Sequence, residues 1–268
     1  MAVGNLSVDL SDRVALVTGS TGGMGEEVAR QLAASGAIVA IHGLGEPELI
    51  EQIRVDIEGL SGKPAVHLAH DLTDAPTAAA MVREVESRFG RVDILVNNAG
   101  IQHVSPLEDF PDERWDALIA VNLSAAFHAT KAAFPGMKQR RFGRVIATSS
   151  TLGVTAEMNK AAYVSSKHGI IGLMRSTALE GAEYGITANA IMPGWVLTPL
   201  AAGQVERKVQ ALGLPREAVV RDHFLNLHPT KRFVETREIA GAVLFLCSDA
   251  ASSITGAAIP VDGGELIL

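Results

Sequence analysis

An α/β fold, a doubly wound parallel sheet of seven strands in a single domain, is what the 268-residue sequence predicts. Three observations carry that expectation. Short apolar runs alternate with longer segments of helical periodicity along the whole chain, which is the rhythm of strand–helix–strand crossovers. Most of those runs are continuously apolar instead of alternating, so their strands are buried on both faces, as in a parallel sheet between two layers of helices. The composition, 47% hydrophobic with 26 glycines, suits buried strands joined by tight turns, and the length is enough for one large core. No repeat, low-complexity tract or linker divides residues 1–268.

Taken in order, the strands are expected at residues 14–18, 38–42, 65–69, 92–97, 144–149, 187–192 and 257–261, with helical crossovers such as 26–35, 76–89 and 112–137 between them. Residues 199–230 break the rhythm with charged helical stretches and, beyond Pro199 at their start, two prolines, Pro215 and Pro229. That region reads as a helical insertion placed to act as a substrate lid, a plain surface helix pair being the alternative. The lone cysteine, Cys247, sits in the apolar run Val243-Leu244-Phe245-Leu246-Cys247 and reads as a core residue. Residues 1–12 lack the basic and apolar regions of a secretory signal, and no later stretch offers about 20 uninterrupted apolar residues, so a cytoplasmic protein with no membrane partner is expected. The formal net charge of −7, the scattered 23 Lys+Arg and the 4% aromatic content all oppose nucleic-acid binding. The eight histidines show no ligand spacing, so no metal site is expected, and His168 reads as structural or exposed.

Chemistry concentrates at strand ends. The segment Thr18-Gly19-Ser20-Thr21-Gly22-Gly23-Met24-Gly25 lies directly after one strand and directly before a helix. There glycines allow a sharp turn and close approach, and the helix N-terminus offers its N–H groups to a pyrophosphate. Asn97-Asn98-Ala99-Gly100 and Ser149-Ser150 close two further strands, and Asn122 falls inside a helix. All point to the carboxyl edge of the sheet, outside which open α/β sheets bind ligands. Tyr163, 13 positions after Ser150, stands four residues before Lys167 in Ala161-Ala162-Tyr163-Val164-Ser165-Ser166-Lys167, so phenol and ammonium share a helical face. A free tyrosine titrates near about 10, and a neighbouring cation favours the phenolate, bringing the group toward proton exchange with a substrate oxygen.

With Thr-Gly-x-x-x-Gly-x-Gly, Asn-Asn-Ala-Gly, Tyr-x-x-x-Lys and Pro193-Gly194 in this order, the chain resembles the short-chain dehydrogenase/reductase family over essentially its whole length, as far as Val261-Asp262-Gly263-Gly264. The resemblance implies a Rossmann fold and a nicotinamide cofactor. It assigns Tyr163 as general acid/base, Ser150 as the hydroxyl that polarises the substrate oxygen, Lys167 as the residue that binds the nicotinamide ribose and lowers the tyrosine pKa, and Asn122 as the holder of a relay water. It places Gly19, Thr21, Gly23, Met24, Gly25, Leu44, Asp71, Leu72, Asn98, Ala99, Gly100, Tyr163, Lys167, Pro193, Gly194, Val196 and Thr198 against the cofactor. The acidic residue that holds the ribose in NAD enzymes would fall near Gly43 and is missing, yet Gly22, Gly43 and Leu44 offer no Lys or Arg for a 2′-phosphate, so NAD is expected. Asp71 also reads as a helix-start signal.

Longer stretches resemble the bacterial D-3-hydroxybutyrate dehydrogenases within this family: Asn97-Asn98-Ala99-Gly100-Ile101-Gln102-His103-Val104, Lys160-Ala161-Ala162-Tyr163 and Pro193-Gly194-Trp195-Val196-Leu197-Thr198-Pro199-Leu200. That likeness implies a substrate site made by Gln102, Ser150, Lys160, Tyr163 and Gln204, with Lys160 and the two glutamines on a substrate carboxylate, and interconversion of (R)-3-hydroxybutyrate and acetoacetate. Two positions depart from it. Leu152 stands where that group carries histidine, and Glu265 stands where it carries tryptophan; a lost donor and an added carboxylate both weaken recognition of an acid. A reductase of the same fold acting on a 3-oxoacyl thioester or a sugar-like ketone is the alternative, and a nucleotide-sensing module without turnover is a third. The family also implies a homotetramer, paired through helices at 112–137 and 160–184, with Leu118, Phe127 and Ile171 serving either interface or core.

Overall fold

The computed structural model of the chain describes residues 8–267; of the N-terminal segment read for a signal, residues 1–7 lie outside the described residues. Seven strands, β1 (Val14–Val17), β2 (Ile38–His42), β3 (Val66–Leu68), β4 (Ile94–Asn97), β5 (Gly143–Thr148), β6 (Ile186–Pro193) and β7 (Ala258–Val261), form one parallel sheet in the order β3-β2-β1-β4-β5-β6-β7. Continuous apolar runs do become strands buried on both faces: every residue of β1, β4, β5 and β6 is buried. The edge strand β7 differs. It is half-exposed and carries Pro260, which an edge tolerates because a proline cannot donate to a ladder.

The helices are α1 (Gly23–Ala34), α2 (Pro47–Ser61), α3 (Thr77–Phe89), α4 (Asp112–Ile119), α5 (Ala125–Arg140), α6 (Ala161–Gly181), α7 (Pro199–Leu212), α8 (Arg216–Val219) and α9 (Thr236–Cys247). They pack in two layers because successive strand side chains point to opposite faces. Leu16 and Leu95 meet Met81, Ala129, Met137 and Ile170 of α3, α5 and α6 on one face. Val17 and Val96 meet Leu32, Ile57 and Val243 of α1, α2 and α9 on the other. Each fully buried side chain of this size contributes roughly 1.5–3 kcal/mol. Cys247 belongs to the second core, where burial pushes its thiol up to about 12 and leaves it inert at neutral pH.

One helix differs from its expectation. The periodicity over 112–137 is broken at Ala120–Ser124 by a π-helical turn that separates α4 from α5 and contains Asn122. A π turn inserts one residue into the helical ladder and redirects the side chains around it, a device that recurs at functional sites. The run Asp112–Arg140 is long and apolar enough to cross a membrane by length and composition. Here Leu118, Val121, Ala125, Ala129, Ala133 and Met137 are buried inside the protein, so it serves as a core helix.

The insertion is ordered and helical. α7, α8 and the π turn Val220–Phe224 enclose a small core of Val205, Val219, Phe224 and Leu225, on which Trp195 and Phe233 pack. Because the chain winds outward from β1 to β3 and then crosses to β4 on the other side of β1, a crevice opens beyond the carboxyl ends of β1 and β4.

Candidate active site

The glycine turn after β1 is sewn to the neighbouring strands by side chains. Thr18 Oγ1 accepts the backbone N–H groups of Asn98 (2.9 Å) and Ala99 (3.0 Å). Asn98 Nδ2 donates to the carbonyls of Thr18 (3.0 Å) and Gly19 (3.1 Å), while its Oδ1 accepts from Thr148 Oγ1 at 3.1 Å. The ends of β1, β4 and β5 are thereby one unit. From below, buried His42 accepts the Gly19 N–H at Nδ1 (3.3 Å) and donates from Nε2 to the His70 carbonyl (2.8 Å), which fixes its tautomer. Burial also holds the His42 pKa below the ordinary value, so the ring stays neutral and able to accept.

This turn fits a dinucleotide. A Cβ on Gly25 would collide with the Gly19 carbonyl and stand 2.5 Å from Asn98 Nδ2, whereas one on Gly22 would meet nothing within 4 Å. The first position therefore lets α1 sit tightly on the turn, and the second leaves its outer side open for phosphate oxygens at the α1 N-terminus. Glu26, the acidic residue of that first turn, is paired with Arg30 at 2.9 Å, which removes its repulsion. Met24, Gly100, Pro193, Gly194, Val196 and Thr198 line the cleft that continues from here, and the Gly23 Cβ position lies 3.7 Å from the Thr198 methyl.

At the ribose corner, Thr21 Oγ1 donates to the Leu44 carbonyl at 3.3 Å, and a Cβ on Gly43 would collide with that hydroxyl. A side chain at Gly43 is thus excluded by Thr21, and Leu44 is 63% exposed. Asp71 and Leu72 behave differently from each other. Asp71 Oδ1 accepts the backbone N–H (2.9 Å) and hydroxyl (2.8 Å) of Thr73, which hold its carboxyl below the usual range and make it a turn-former with one oxygen to spare. Leu72 is buried in the core, so its side chain is not available to a ligand.

Three of the four catalytic candidates, Ser150, Tyr163 and Lys167, line one cleft, and Asn122 lies behind it across Gly100 from Lys167. Tyr163 and Lys167 lie one turn apart on α6, with the ammonium 5.4 Å from the phenol ring centroid and donating to the Thr148 carbonyl at 2.7 Å. Burial pushes the Lys167 pKa down to about 8. The expected lowering of the tyrosine pKa by this cation is not what the structure shows. Burial raises Tyr163 above its ordinary value, the Ser150 hydroxyl pulls the other way through a hydrogen bond, and the Glu157 charge adds to the rise. The reason is geometric: the ammonium is committed to Thr148, and the hydrogen bond that stabilises the phenolate comes from Ser150. Ser150 itself is extended (φ −170°) and caps the short helical turn Thr151–Gly153, its Oγ accepting the Leu152 N–H at 3.1 Å. Asn122 is clamped to Ile101, with Oδ1 accepting its N–H (2.8 Å) and Nδ2 donating to its carbonyl (3.0 Å); the second Nδ2 hydrogen goes to Ser166 Oγ at 3.2 Å. Both amide hydrogens are used within the protein.

Beside them opens a cleft of about 180 Å³ that brings together Ser150, Tyr163, Lys167, Gln102, Lys160 and Gln204. Gln204, on α7, donates from Nε2 to Gln102 Oε1 at 3.3 Å, joining the insertion to the loop after β4. Lys160 caps α6, is only 6% exposed, lies 5.4 Å from the Trp195 ring centroid and pairs with Glu157 Oε2 at 2.7 Å. Leu152 lines the same wall, as do Thr151, Glu157 and Trp195, to which sequence reasoning gave no role; the buried His228 lies behind them. His228 Nε2 accepts the Trp195 N–H at 3.1 Å and so fixes the cleft wall. Glu157 had a signal, an acid three residues before a lysine; His42 and His228 had none, since each is a single residue whose partner is a backbone N–H far away in sequence. His168 is exposed on α6 and bonds only within its helix.

Comparison with known proteins agrees with this geometry. A family model described as enoyl-(acyl carrier protein) reductase matches residues 19–265. The D-beta-hydroxybutyrate dehydrogenase of Cupriavidus necator is 48% identical over 255 residues, 95% of this chain and 98% of that protein. The D-beta-hydroxybutyrate dehydrogenase of Rhizobium meliloti is 44% identical over 252 residues, 94% of this chain and 98% of the relative. Among solved structures, a protein from Agrobacterium tumefaciens assigned as a 2-deoxy-D-gluconate 3-dehydrogenase, with bound NADP, superposes with a TM-score of 0.84 at 32% identity, covering 98% of this chain and 100% of that one.

Proposed function

The chain belongs to the short-chain dehydrogenase/reductase family and is an oxidoreductase that uses a nicotinamide dinucleotide, and on that premise we propose that it interconverts a short 3-hydroxy acid, (R)-3-hydroxybutyrate, and its 3-oxo acid with NAD. The observation that carries the proposal is the position of Lys160, Gln102 and Gln204 in one cleft with Ser150 and Tyr163. A 3-hydroxy acid has the groups such a cleft can take: its carboxylate meets the ammonium and the amides while its C3 oxygen meets Ser150 and Tyr163. The likeness to two D-beta-hydroxybutyrate dehydrogenases supports the same substrate.

The nicotinamide supplies hydride acceptance and donation when bound. The residues of this chain do the rest. Ser150 polarises the C3 oxygen, Tyr163 takes its proton in the oxidative direction and returns it in the reductive one, Lys167 binds the nicotinamide ribose, and Asn122 holds the water that extends the relay. Gly19, Thr21, Gly23, Met24, Gly25, Asn98, Ala99 and Gly100 hold the dinucleotide along the crevice, and Pro193, Gly194, Val196 and Thr198 hold its carboxamide end. NAD is preferred over NADP because the corner made by Thr21, Gly43 and Leu44 supplies no cation for a 2′-phosphate. Residues 199–230 act as the substrate lid, since Gln204 reaches the cleft from α7.

We further place the enzyme in the cytoplasm as a homotetramer, without nucleic-acid or membrane partners. Of three residues named for interface or core, Leu118 and Ile171 are core, while Phe127 of α5 is 44% exposed and available to pack against another copy. A second reading, a reductase of another ketone such as a 3-oxoacyl thioester or a sugar-like ketone, is favoured by one observation: Leu152 and Glu265 both line the cleft. Following NADH absorbance with a panel of hydroxy acids, and with NAD against NADP, separates these readings. Turnover of 3-hydroxybutyrate with NAD is the expected result; turnover of none of the acids refutes the proposal.

A further inference from the structure

Glu265 occupies the wall of the substrate cleft, and its surroundings lack a proper partner for it. It is carried by a short helical turn that Asp262 fixes, accepting the N–H groups of Gly264 (3.0 Å) and Leu266 (2.9 Å) on either side. Its Oε1 accepts only from Thr151 Oγ1 at a long 3.4 Å. Its Oε2 is buried with no hydrogen-bond partner among the described residues. The nearest nitrogen, His228 Nε2 at 3.6 Å, already accepts the Trp195 N–H, so two acceptors face each other with no proton between them. Lys160, whose charge reaches Glu265 and opposes the rise of its pKa, is itself held by Glu157. Burial, together with the charges of Asp262 and Glu157, raises the Glu265 pKa. Oε2 is shut off from the cleft, so a ligand donor would meet Oε1, whose only contact is long; because the carboxylate lines the cleft and is under-paired, such a donor offsets part of its burial cost.

Thr151 directly follows Ser150, so this carboxylate stands one residue away from the hydroxyl that polarises the reacting oxygen. Leu152 closes the same wall with an apolar face and offers no side-chain donor. We infer that Glu265 is a specificity residue that accepts a hydrogen bond from a hydroxyl on the carbon next to the reacting one, and that the preferred substrates are hydroxylated 3-hydroxy acids, 3,4-dihydroxybutyrate being the smallest. This rests on the 3-hydroxy acid reading above: the carboxylate goes to Lys160, Gln102 and Gln204, C3 goes to Ser150 and Tyr163, and the C4 hydroxyl turns to Glu265. A methyl group at C4 would instead leave the carboxylate unpaired and desolvated.

The test compares 3-hydroxybutyrate with 3,4-dihydroxybutyrate of the same spatial arrangement at C3, oxidised with NAD by the wild type, Glu265→Leu and Glu265→Gln. The wild type is expected to favour the dihydroxy acid by about tenfold or more in kcat/KM. Glu265→Leu should cut that ratio about tenfold by losing the hydroxylated acid and gaining the methyl one, and Glu265→Gln, which keeps an acceptor without the charge, should cut it by a smaller factor. If Glu265→Leu fails to fold, the wild-type ratio and Glu265→Gln decide. A wild type that oxidises 3-hydroxybutyrate as well as or better than the dihydroxy acid overturns the inference and leaves the 3-hydroxy acid reading standing; so does a ratio unmoved by either substitution. Oxidation of neither acid overturns both.

Discussion

Replacing Lys160 by alanine removes the ammonium on which the substrate assignment depends, and its surroundings set the size of the effect. Lys160 is 6% exposed, and its Nζ is 2.7 Å from Glu157 Oε2, on a glutamate whose side chain is half in solvent. A substrate carboxylate meeting that ammonium makes a charge-assisted contact of about 1.5–3 kcal/mol, so Lys160→Ala should raise KM for 3-hydroxybutyrate by about tenfold to a hundredfold. The methyl ester of the same acid carries no charge and should lose far less. Glu157 competes with the substrate for the same ammonium, and because its own side chain is half in solvent it can be displaced, so Glu157→Gln should lower KM for the acid by about a few-fold and leave the ester unmoved. Initial rates with both substrates across the wild type and the two variants are the assay. Equal losses for acid and ester in Lys160→Ala would mean that Lys160 serves the start of α6, which it caps, and would refute carboxylate recognition. A raised KM in Glu157→Gln would show that Glu157 positions the ammonium instead of competing for it.

Tyr163→Phe should lower kcat by about 10²–10⁴-fold while dinucleotide binding, followed by fluorescence titration, stays within a few-fold, because the hydroxyl carries the proton and the ring only packs; a variant keeping more than a tenth of kcat would contradict the role. Lys167 titrates near 8 in the fold against 10.5 as its ordinary value, so the folded state binds fewer protons between those limits. Its burial therefore destabilises the protein fully below pH 8, by at most about 3 kcal/mol, and that cost disappears as pH rises toward 10.5. Lys167→Met should be inactive yet gain stability in urea melts at pH 7, less whatever the Thr148 carbonyl loses with its donor, and the gain should shrink by pH 9.5; a gain constant with pH would refute the linkage. Light scattering at micromolar concentration should give a mass four times that of the chain, and a monomer would remove the tetramer.

The parts of the fold that local pattern dictates were legible in the sequence. Continuous apolar runs located all seven strands, because burial on both faces leaves no room for alternation, and β2 ran from Ile38 to His42 as expected. The π turn around Asn122 was not legible: one inserted residue hardly changes helical periodicity, and the partner its Asn122 meets, Ile101, lies 21 positions earlier in sequence. The same division holds in the site. The spacing of Tyr163 and Lys167 follows from the pitch of a helix and could be read directly. Their proton affinities could not, because burial sets them, and burial depends on what β5 and the loop after it bring against α6. His42 was invisible for the opposite reason, since a single imidazole at a strand end gives no pattern until the Gly19 N–H is seen to rest on it.

On the 3-hydroxy acid reading, selectivity in this cleft follows from a charge balance. Aside from Lys167, which is engaged with the Thr148 carbonyl, the wall carries the ammonium of Lys160 and the carboxylates of Glu157 and Glu265. With both acids ionised that sum is one negative charge, a poor setting for an anionic substrate. Two features change the balance. Glu157 is half-exposed and can turn to solvent, releasing Lys160 to an incoming carboxylate, whereas Glu265 is buried and fixed by the Asp262 turn, so it can be relieved only by a proton or by a donor on the ligand. Burial already raises its affinity for a proton. An acid without further hydroxyls thus binds best when Glu265 is protonated, and a hydroxylated acid binds while it is ionised, so the two substrate classes are separated by what they offer one carboxylate.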